Sequence, residues 1–282
     1  MKAARFDLAR PRDLSEAFDL MAGAEGRVKV LAGGQSLGPM LNLRLVEPDL
    51  LVDIAGLPEL RRIDREAEAL VVGACVTHAD FEDGRAPDIG HDMLARVASG
   101  IAYRAVRNRG TIGGSLAHAD PAADWLSALS AFGAEVEIAS REGRRRMAVG
   151  AFATGALATA LAPGELLVAV RIPLVSSAAR LGYVKHARKI GEFAHAIGAA
   201  LVDPERGVAR AVAGAIDAAP LVIEDAHELF DRSSGLDRNE TGRRLIAAGV
   251  EDPVDRHIHV EALARALAQA FDVAPPTIRR AA

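Results

Sequence analysis

Two short segments, each setting consecutive glycines beside small polar side chains, restrict this chain more than any other feature. The first, Leu31-Ala32-Gly33-Gly34-Gln35-Ser36-Leu37, closes the stretch Arg27–Leu31, which reads as a strand. The second is Arg109-Gly110-Thr111-Ile112-Gly113-Gly114-Ser115-Leu116-Ala117-His118-Ala119-Asp120-Pro121. Consecutive glycines reach backbone angles closed to other residues and leave no β-carbon in the way, so successive N–H groups can converge on an anion such as a pyrophosphate. Ser36 adds a hydroxyl to the first loop, and Thr111 and Ser115 add two to the second. Taken singly, each loop reads as a tight turn between strands. Neither is followed by Gly-Lys-Ser/Thr, and neither has the Gly-x-Gly-x-x-Gly spacing of a Rossmann turn. Taken together, about 77 residues apart in one chain with no competing catalytic set, they read as a two-loop cradle for one diphosphate.

Composition narrows what such a cradle serves. Half of the 282 residues are hydrophobic, enough for a real core and too many for a disordered chain. The net charge of −4 gives no general pull toward nucleic acid or an anionic membrane. A single cysteine, Cys75, excludes a disulfide framework, a multi-cysteine zinc site and an iron–sulfur cluster held by this chain alone. Cys75 lies in an apolar strand and reads as inert packing. Residues 1–10 lack the apolar region of a signal peptide, and the charge-free run Met147–Gly164 is weakly apolar and broken by Pro163. The expectation is a soluble, cytoplasmic protein with no membrane span.

The pattern of elements is α+β. Ser15–Met21 predicts an amphipathic helix capped by Asp13, and Leu50–Ile54 a strand. Arg61–Asp64 with Ala69–Ala74 predicts a hairpin turning near Glu66. Helices are expected from Phe81 onward, over Met93–Ser99 and over Pro121–Phe132, with Leu126 and Leu129 facing inward beside Trp125. Ala134–Ile138 alternates as a half-buried strand, with Arg144, Arg145 and Arg146 as the solvated side of a hairpin. Leu166–Ile172 is a further strand, closed by Pro173. After a boundary near Pro173–Ala179, the stretches Gly182–Arg188, Ala194–Val202 and Val208–Asp217 predict three antiparallel strands. Helices are expected over Val222–Phe230 and Val260–Phe271, with a shorter one near Gly242–Ala248.

At the level of motifs, Ala32–Leu37 followed by Pro39, Asn42 and Arg44 resembles the first flavin-binding motif of the medium subunits of molybdenum hydroxylases, the xanthine dehydrogenase and carbon monoxide dehydrogenase family. Arg107-Asn108-Arg109-Gly110-Thr111 through Pro121, with Asp124, resembles their second. The resemblance continues through Pro163-Gly164-Glu165-Leu166-Leu167 to Arg171-Ile172-Pro173, and again in Tyr183-Val184-Lys185 with Ala187-Arg188. It covers nearly the whole chain.

The resemblance implies a two-subdomain FAD-binding fold of the vanillyl-alcohol-oxidase (PCMH) type over residues 1–175, with subdomains of about 1–55 and 56–175. A small α/β C-terminal domain with a three-stranded antiparallel sheet would follow over 176–282. It implies that Leu31, Ala32, Gly33, Gly34, Gln35, Ser36 and Leu37, with Thr111, Ile112, Gly113, Gly114 and Ser115, hold the pyrophosphate of FAD. Ile101, Asp124, Leu167 and Lys185 match positions near the flavin, and Phe193, in the Ile190–Phe193 turn, a possible lid. The redox chemistry would belong to the flavin, with no catalytic side chain and no metal site in this chain. Electrons would come from a large molybdopterin subunit through two [2Fe–2S] clusters of a small subunit and leave to an external acceptor, in an (αβγ)2 assembly. The family's C-terminal segment carries aspartate, histidine and then Tyr-Arg; here Asp255–Leu263 lacks Tyr-Arg.

Other residues have plainer readings. His118 and Asp120 are too few for a metal site and read as hydrogen-bonding at a helix start. Asp124 could complement the positive end of that helix, and Lys185 could be an exposed strand lysine. His257 and His259 alternate as if on one strand face and read as surface histidines. Two rival functions stay open: a self-sufficient flavoprotein oxidoreductase of the same fold superfamily, and a non-catalytic nucleotide-binding assembly module. A hydrolase does not, since no Gly-x-Ser-x-Gly elbow is present.

Overall fold

The computed structural model describes residues 2–273 apart from 88, 90 and 91. The chain begins with β1 (Asp7–Ala9), α1 (Leu14–Gly23), β2 (Val28–Leu31), α2 (Leu37–Asn42) and β3 (Leu50–Asp53). The three strands form a parallel sheet in the order β1-β3-β2. Asp13 caps α1 by accepting from the Glu16 N–H, and Leu14, Ala17 and Phe18, spaced three and four apart, are its buried face.

A second unit comprises β4 (Ile63–Arg65), β5 (Ala69–Gly73), α3 (His78–Glu82), α4 (Met93–Ser99), α5 (Arg104–Arg107), α6 (Ile112–His118), α7 (Asp124–Phe132), β6 (Glu135–Ala139), β7 (Arg144–Ala148), α8 (Val149–Phe152), β8 (Ala153–Gly155), β9 (Ala158–Thr159) and β10 (Leu166–Pro173). Its main sheet is antiparallel, in the order β4-β5-β10-β6-β7. β10 carries a bulge at Val168, which reverses the alternation of its side chains. Leu167, Val170 and Ile172 therefore share the face that packs on Ile112, Leu116, Trp125 and Leu129, whereas Leu166 and Val168 meet Leu14, Phe18 and Val52 of the first unit. Arg144, Arg145 and Arg146 form the solvated strand the sequence predicts, and Arg144 pairs with Glu59 and Glu137.

The third unit has β11 (Arg180–His186), β12 (Ala196–Asp203), β13 (Val208–Gly214), β14 (Leu221–Ile223), a short hairpin of β15 (Phe230–Asp231) and β16 (Gly235–Leu236), α9 (Arg238–Ala247) and α10 (Pro253–Phe271). Its sheet is antiparallel in the order β11-β12-β13-β14, so it has four strands rather than three. The fourth occupies part of the stretch expected as a helix from Val222. Leu221, Val222 and Ile223 pair with β13, a 3₁₀ turn over Ala226–Glu228 follows, and Phe230 is again a strand. A short β-branched apolar run carries no helical period of its own, and the free edge of β13 decides its state.

Two further expectations shift. The helix expected from Phe81 onward ends there instead: Thr77 and Asp80 form a capping box that starts α3 earlier, and Gly84 at φ +69° follows its end. His257 and His259 lie on α10, not on a strand, because Asp252 caps that helix and Pro253 takes its first turn. His259 is buried, with Nδ1 2.8 Å from the Asp255 carbonyl and Nε2 3.2 Å from the Ala215 carbonyl. Among the described residues, no helix is long and apolar enough to cross a membrane.

Candidate functional site

The two glycine loops meet. Gly33 packs so closely on the second loop that a β-carbon there would overlap the Arg109 carbonyl and stand 2.9 Å from the Gly110 Cα. A β-carbon on Gly114 would lie 3.9 Å from that of Ala32. The first loop leaves β2 and enters α2 at Ser36; the second enters α6 at Thr111.

The loops differ in what they offer an anion. The N–H groups of Gly33, Gly34, Gln35 and Ser36 donate to no other group of the described residues, and the Ser36 hydroxyl makes no capping bond. In the second loop the amides of Ile112 to Ser115 are already used. Ile112 N–H donates to Val76 O, Gly113 N–H to Ala74 O, Gly114 N–H to Thr111 Oγ1 and Ser115 N–H to Thr111 O. Its remaining donors include the Thr111 N–H and the Thr111 and Ser115 hydroxyls. The four free amides of the first loop, with three hydroxyls from the two touching loops, fit a diphosphate, whose oxygens accept and do not donate.

The second loop is braced from behind. His78 N–H donates to Gly110 O, and the His78 ring stands against the bare face of Gly110, where a β-carbon would lie 2.8 Å from Nε2. His78 Nδ1 accepts from Trp125 Nε1 at 3.0 Å, which fixes the tautomer with its proton on Nε2. Burial, seconded by the charge of Arg107, pushes the imidazole down to about 4, so it is neutral. Cys75, buried beside this region, has its thiol pushed up to about 12 by burial and is no thiolate nucleophile.

Asp124, at the start of α7, is buried and joins the second unit to the third. Its Oδ2 accepts from Lys185 Nζ at 2.8 Å and its Oδ1 from the Tyr183 hydroxyl at 2.7 Å. Burial raises the Asp124 carboxyl, while Lys185 and Tyr183 pull it back. Burial likewise raises the Tyr183 phenol well above its ordinary value. Lys185 is thus a shielded, paired cation rather than an exposed strand lysine, and it also reaches Gly100 O at 3.3 Å, next to Ile101.

The remaining candidates divide. Ile101 is half-buried near this cluster. Leu167 is 5% exposed and lies in the core against α6, in one cluster with Ile112. Phe193 and Ile190 are exposed at 67% and 91%, on a turn whose Gly191 packs on Ala102. Arg107, His78, Trp125 and Tyr183 carry no predicted role, although Arg107 and Tyr183 lie inside the motifs. Their part here depends on hydrogen bonds between segments far apart in sequence. An open cleft of about 700 Å³ between the second and third units includes no glycine-loop residue; its Arg171, Arg206 and Arg210 are paired with Glu66, Glu68 and Glu224. No group of three metal-ligating side chains occurs among the described residues.

Residues 4–175 match the family model described as the FAD binding domain in molybdopterin dehydrogenase. The carbon monoxide dehydrogenase medium chain of Hydrogenophaga pseudoflava is 36% identical over 203 residues, 72% of this chain and 70% of that one. Caffeine dehydrogenase subunit beta of Pseudomonas sp. (strain CBB1) is 34% identical over 206 residues, 73% of this chain and 70% of that one. A solved carbon monoxide dehydrogenase from Hydrogenophaga pseudoflava, lacking the Mo-pyranopterin moiety of its cofactor, matches with a TM-score of 0.86 and 30% identity, covering 96% of this chain and 99% of that chain. Quinoline 2-oxidoreductase from Pseudomonas putida 86 matches at 0.81 and 30%, with the same coverage.

Proposed function

The chain belongs to the family of FAD-binding domains in molybdopterin dehydrogenases and is an FAD-binding oxidoreductase subunit; on that premise we propose that it takes electrons from [2Fe–2S] clusters of a small partner subunit and passes them to an external acceptor. The molybdopterin would reside in a large partner subunit, where substrate is oxidised, and the three chains would assemble as (αβγ)2 in the cytoplasm. The single cysteine supports this division of labour, since the chain cannot ligate a cluster by itself. We assign residues 1–175 to a PCMH-type FAD-binding region and 176–282 to a smaller C-terminal domain.

The observation that carries this reading is the contact of the two glycine loops with four free amides on one of them. Gly33, Gly34, Gln35 and Ser36 would donate to the diphosphate, and the Thr111 and Ser115 hydroxyls would complete its shell. Gly113 and Gly114 hold the second loop close: a β-carbon on Gly113 would stand 2.7 Å from Ala74 O, and one on Gly114 2.7 Å from Thr111 Oγ1. Bound FAD supplies the electron-carrying chemistry. Ile101, Asp124 and Lys185 would shape the ring end of the site, with a fixed and shielded charge pair beside it. Leu167 would support this end from the core, and Phe193, exposed on its turn, would serve as a cover.

The test is an absorbance spectrum of the purified chain before and after adding FAD, with the released cofactor identified by mass. Bands near ~375 and ~450 nm at about one FAD per chain are expected. Absence of flavin even after co-expression with the partner subunits would overturn the reading.

A further inference from the structure

Three successive carbonyls, those of Gly100, Ile101 and Ala102, are each held by a shielded cation. Lys185 Nζ donates to Gly100 O, and Arg107 Nη1 donates to Ile101 O and to Ala102 O, both at 2.9 Å. The side chains of Lys185 and Arg107 are only 14% and 11% exposed. Each is tied by a carboxylate. Asp124, fixed on its other oxygen by Tyr183, holds Lys185, and Glu82 holds Arg107 through two bonds of 2.8 Å.

Ala102 has φ +42°, a left-handed conformation that an L side chain avoids at a cost of roughly 1–2 kcal/mol. Something must hold it there, and the two bonds from one guanidinium do so. In a trans peptide the N–H points opposite to the C=O. With the carbonyls of Ile101 and Ala102 drawn toward Arg107, the N–H groups of Ala102 and Tyr103 are turned the other way. Neither donates to any group of the described residues. Gly191 packs on the same spot, where its β-carbon would stand 2.6 Å from Ala102 O, so the Ile190–Phe193 turn rests on this segment too.

We propose that Arg107 is a positioning residue for the flavin ring, holding the Ile101–Ala102 carbonyls so that the Ala102 and Tyr103 N–H groups serve as ring-end hydrogen-bond donors. The proposal rests on the flavin reading above and concerns only its ring end, leaving the diphosphate loops untouched. Glu82 orients the guanidinium, and the Tyr183–Asp124–Lys185 cluster secures the Gly100 end of the segment. A lysine in place of Arg107 keeps the charge and cannot make the same planar fork of bonds.

The test compares FAD with ADP, which carries the diphosphate and lacks the ring, on the full-length chain. For Arg107→Lys the FAD dissociation constant should rise about tenfold, the visible circular dichroism of bound flavin should change, and ADP affinity should stay as in the parent. Glu82→Gln, which leaves the guanidinium in place, should move the same two readouts in the same direction by less and stands in if Arg107→Lys does not fold. Parental FAD affinity and dichroism in either folded variant would overturn the proposal, as would an equal loss of FAD and ADP, the mark of a general packing defect. A parent chain that binds neither nucleotide would instead overturn the flavin reading itself.

Discussion

Gly33 and Gly38 stand five residues apart and separate two roles of glycine. A β-carbon on Gly33 would overlap the Arg109 carbonyl, a backbone group that cannot rotate aside, whereas one on Gly38 would meet nothing within 4 Å. Gly33→Ala should therefore push the loops apart, costing about 1–3 kcal/mol of stability and most of the bound FAD. Gly38→Ala, within α2, should leave FAD content unchanged and stability equal or slightly raised. Flavin absorbance per chain and the urea midpoint read both. At His78 the arithmetic concerns protons. Its imidazole is held neutral down to about 4, while the same group in the unfolded chain protonates near its ordinary 6.5. Between those values the unfolded state binds the extra proton, so this contribution is present above pH 6.5 and is lost as pH falls toward 4. Between pH 7 and 5 the loss is about 2 kcal/mol. His78→Asn, whose amide oxygen can still accept from Trp125, should lose that much less stability than the parent over the same interval in paired urea titrations.

Helix α10 shows how an element is placed by what is missing opposite it. Gly182 on β11 and Gly198 on β12 lie directly under it, and a β-carbon on either would overlap the carbonyl of Ala266 or Ala262. The helix thus seats on bare backbone, packing Leu263 and Leu267 against Ala200 and Ile223. Gly198→Ala should lift the helix and cost about 3 kcal/mol, seen as a lowered urea midpoint with far-UV dichroism as the probe. The presence of a C-terminal helix was legible because Leu263, Ala266, Leu267, Ala270 and Phe271 repeat at helical spacing. Its true start at Pro253 was obscured by the alternating His257-Ile258-His259, which mimics a strand over so short a window. The same ambiguity hid β14 in Val222-Ile223. Where a local pattern spans a full element, as over Ser15–Met21, the sequence reading and the structure agree on a helix; where it spans three residues, the neighbouring strand decides.

At the scale of the molecule, the glycine loops were legible because an anion cradle needs small residues at fixed local spacing. The braces behind them were not, since Arg107 with Ile101, Trp125 with His78 and Tyr183 with Asp124 are pairings that only the folded chain creates. The last of these bears on how the whole chain unfolds. Leu181 and Leu201 of the third unit lie in the same buried cluster as Trp125 and Leu129 of the second, so the two units share a core. Across that junction runs the buried Asp124–Lys185 pair. Removing one member of a buried pair leaves the other charge uncompensated, at a cost of about 3–5 kcal/mol. Asp124→Asn keeps the shape and can still accept from Tyr183, but it strands the Lys185 ammonium on one carbonyl. In the parent, the fluorescence of the single tryptophan, Trp125, and far-UV dichroism should report one coincident urea transition, because separating the units would expose the shared core. In Asp124→Asn both probes should shift together to lower urea by an amount within that range. Transitions that separate in the parent would show that the units fold independently; an unshifted midpoint in the variant would show that the pair contributes no net stability.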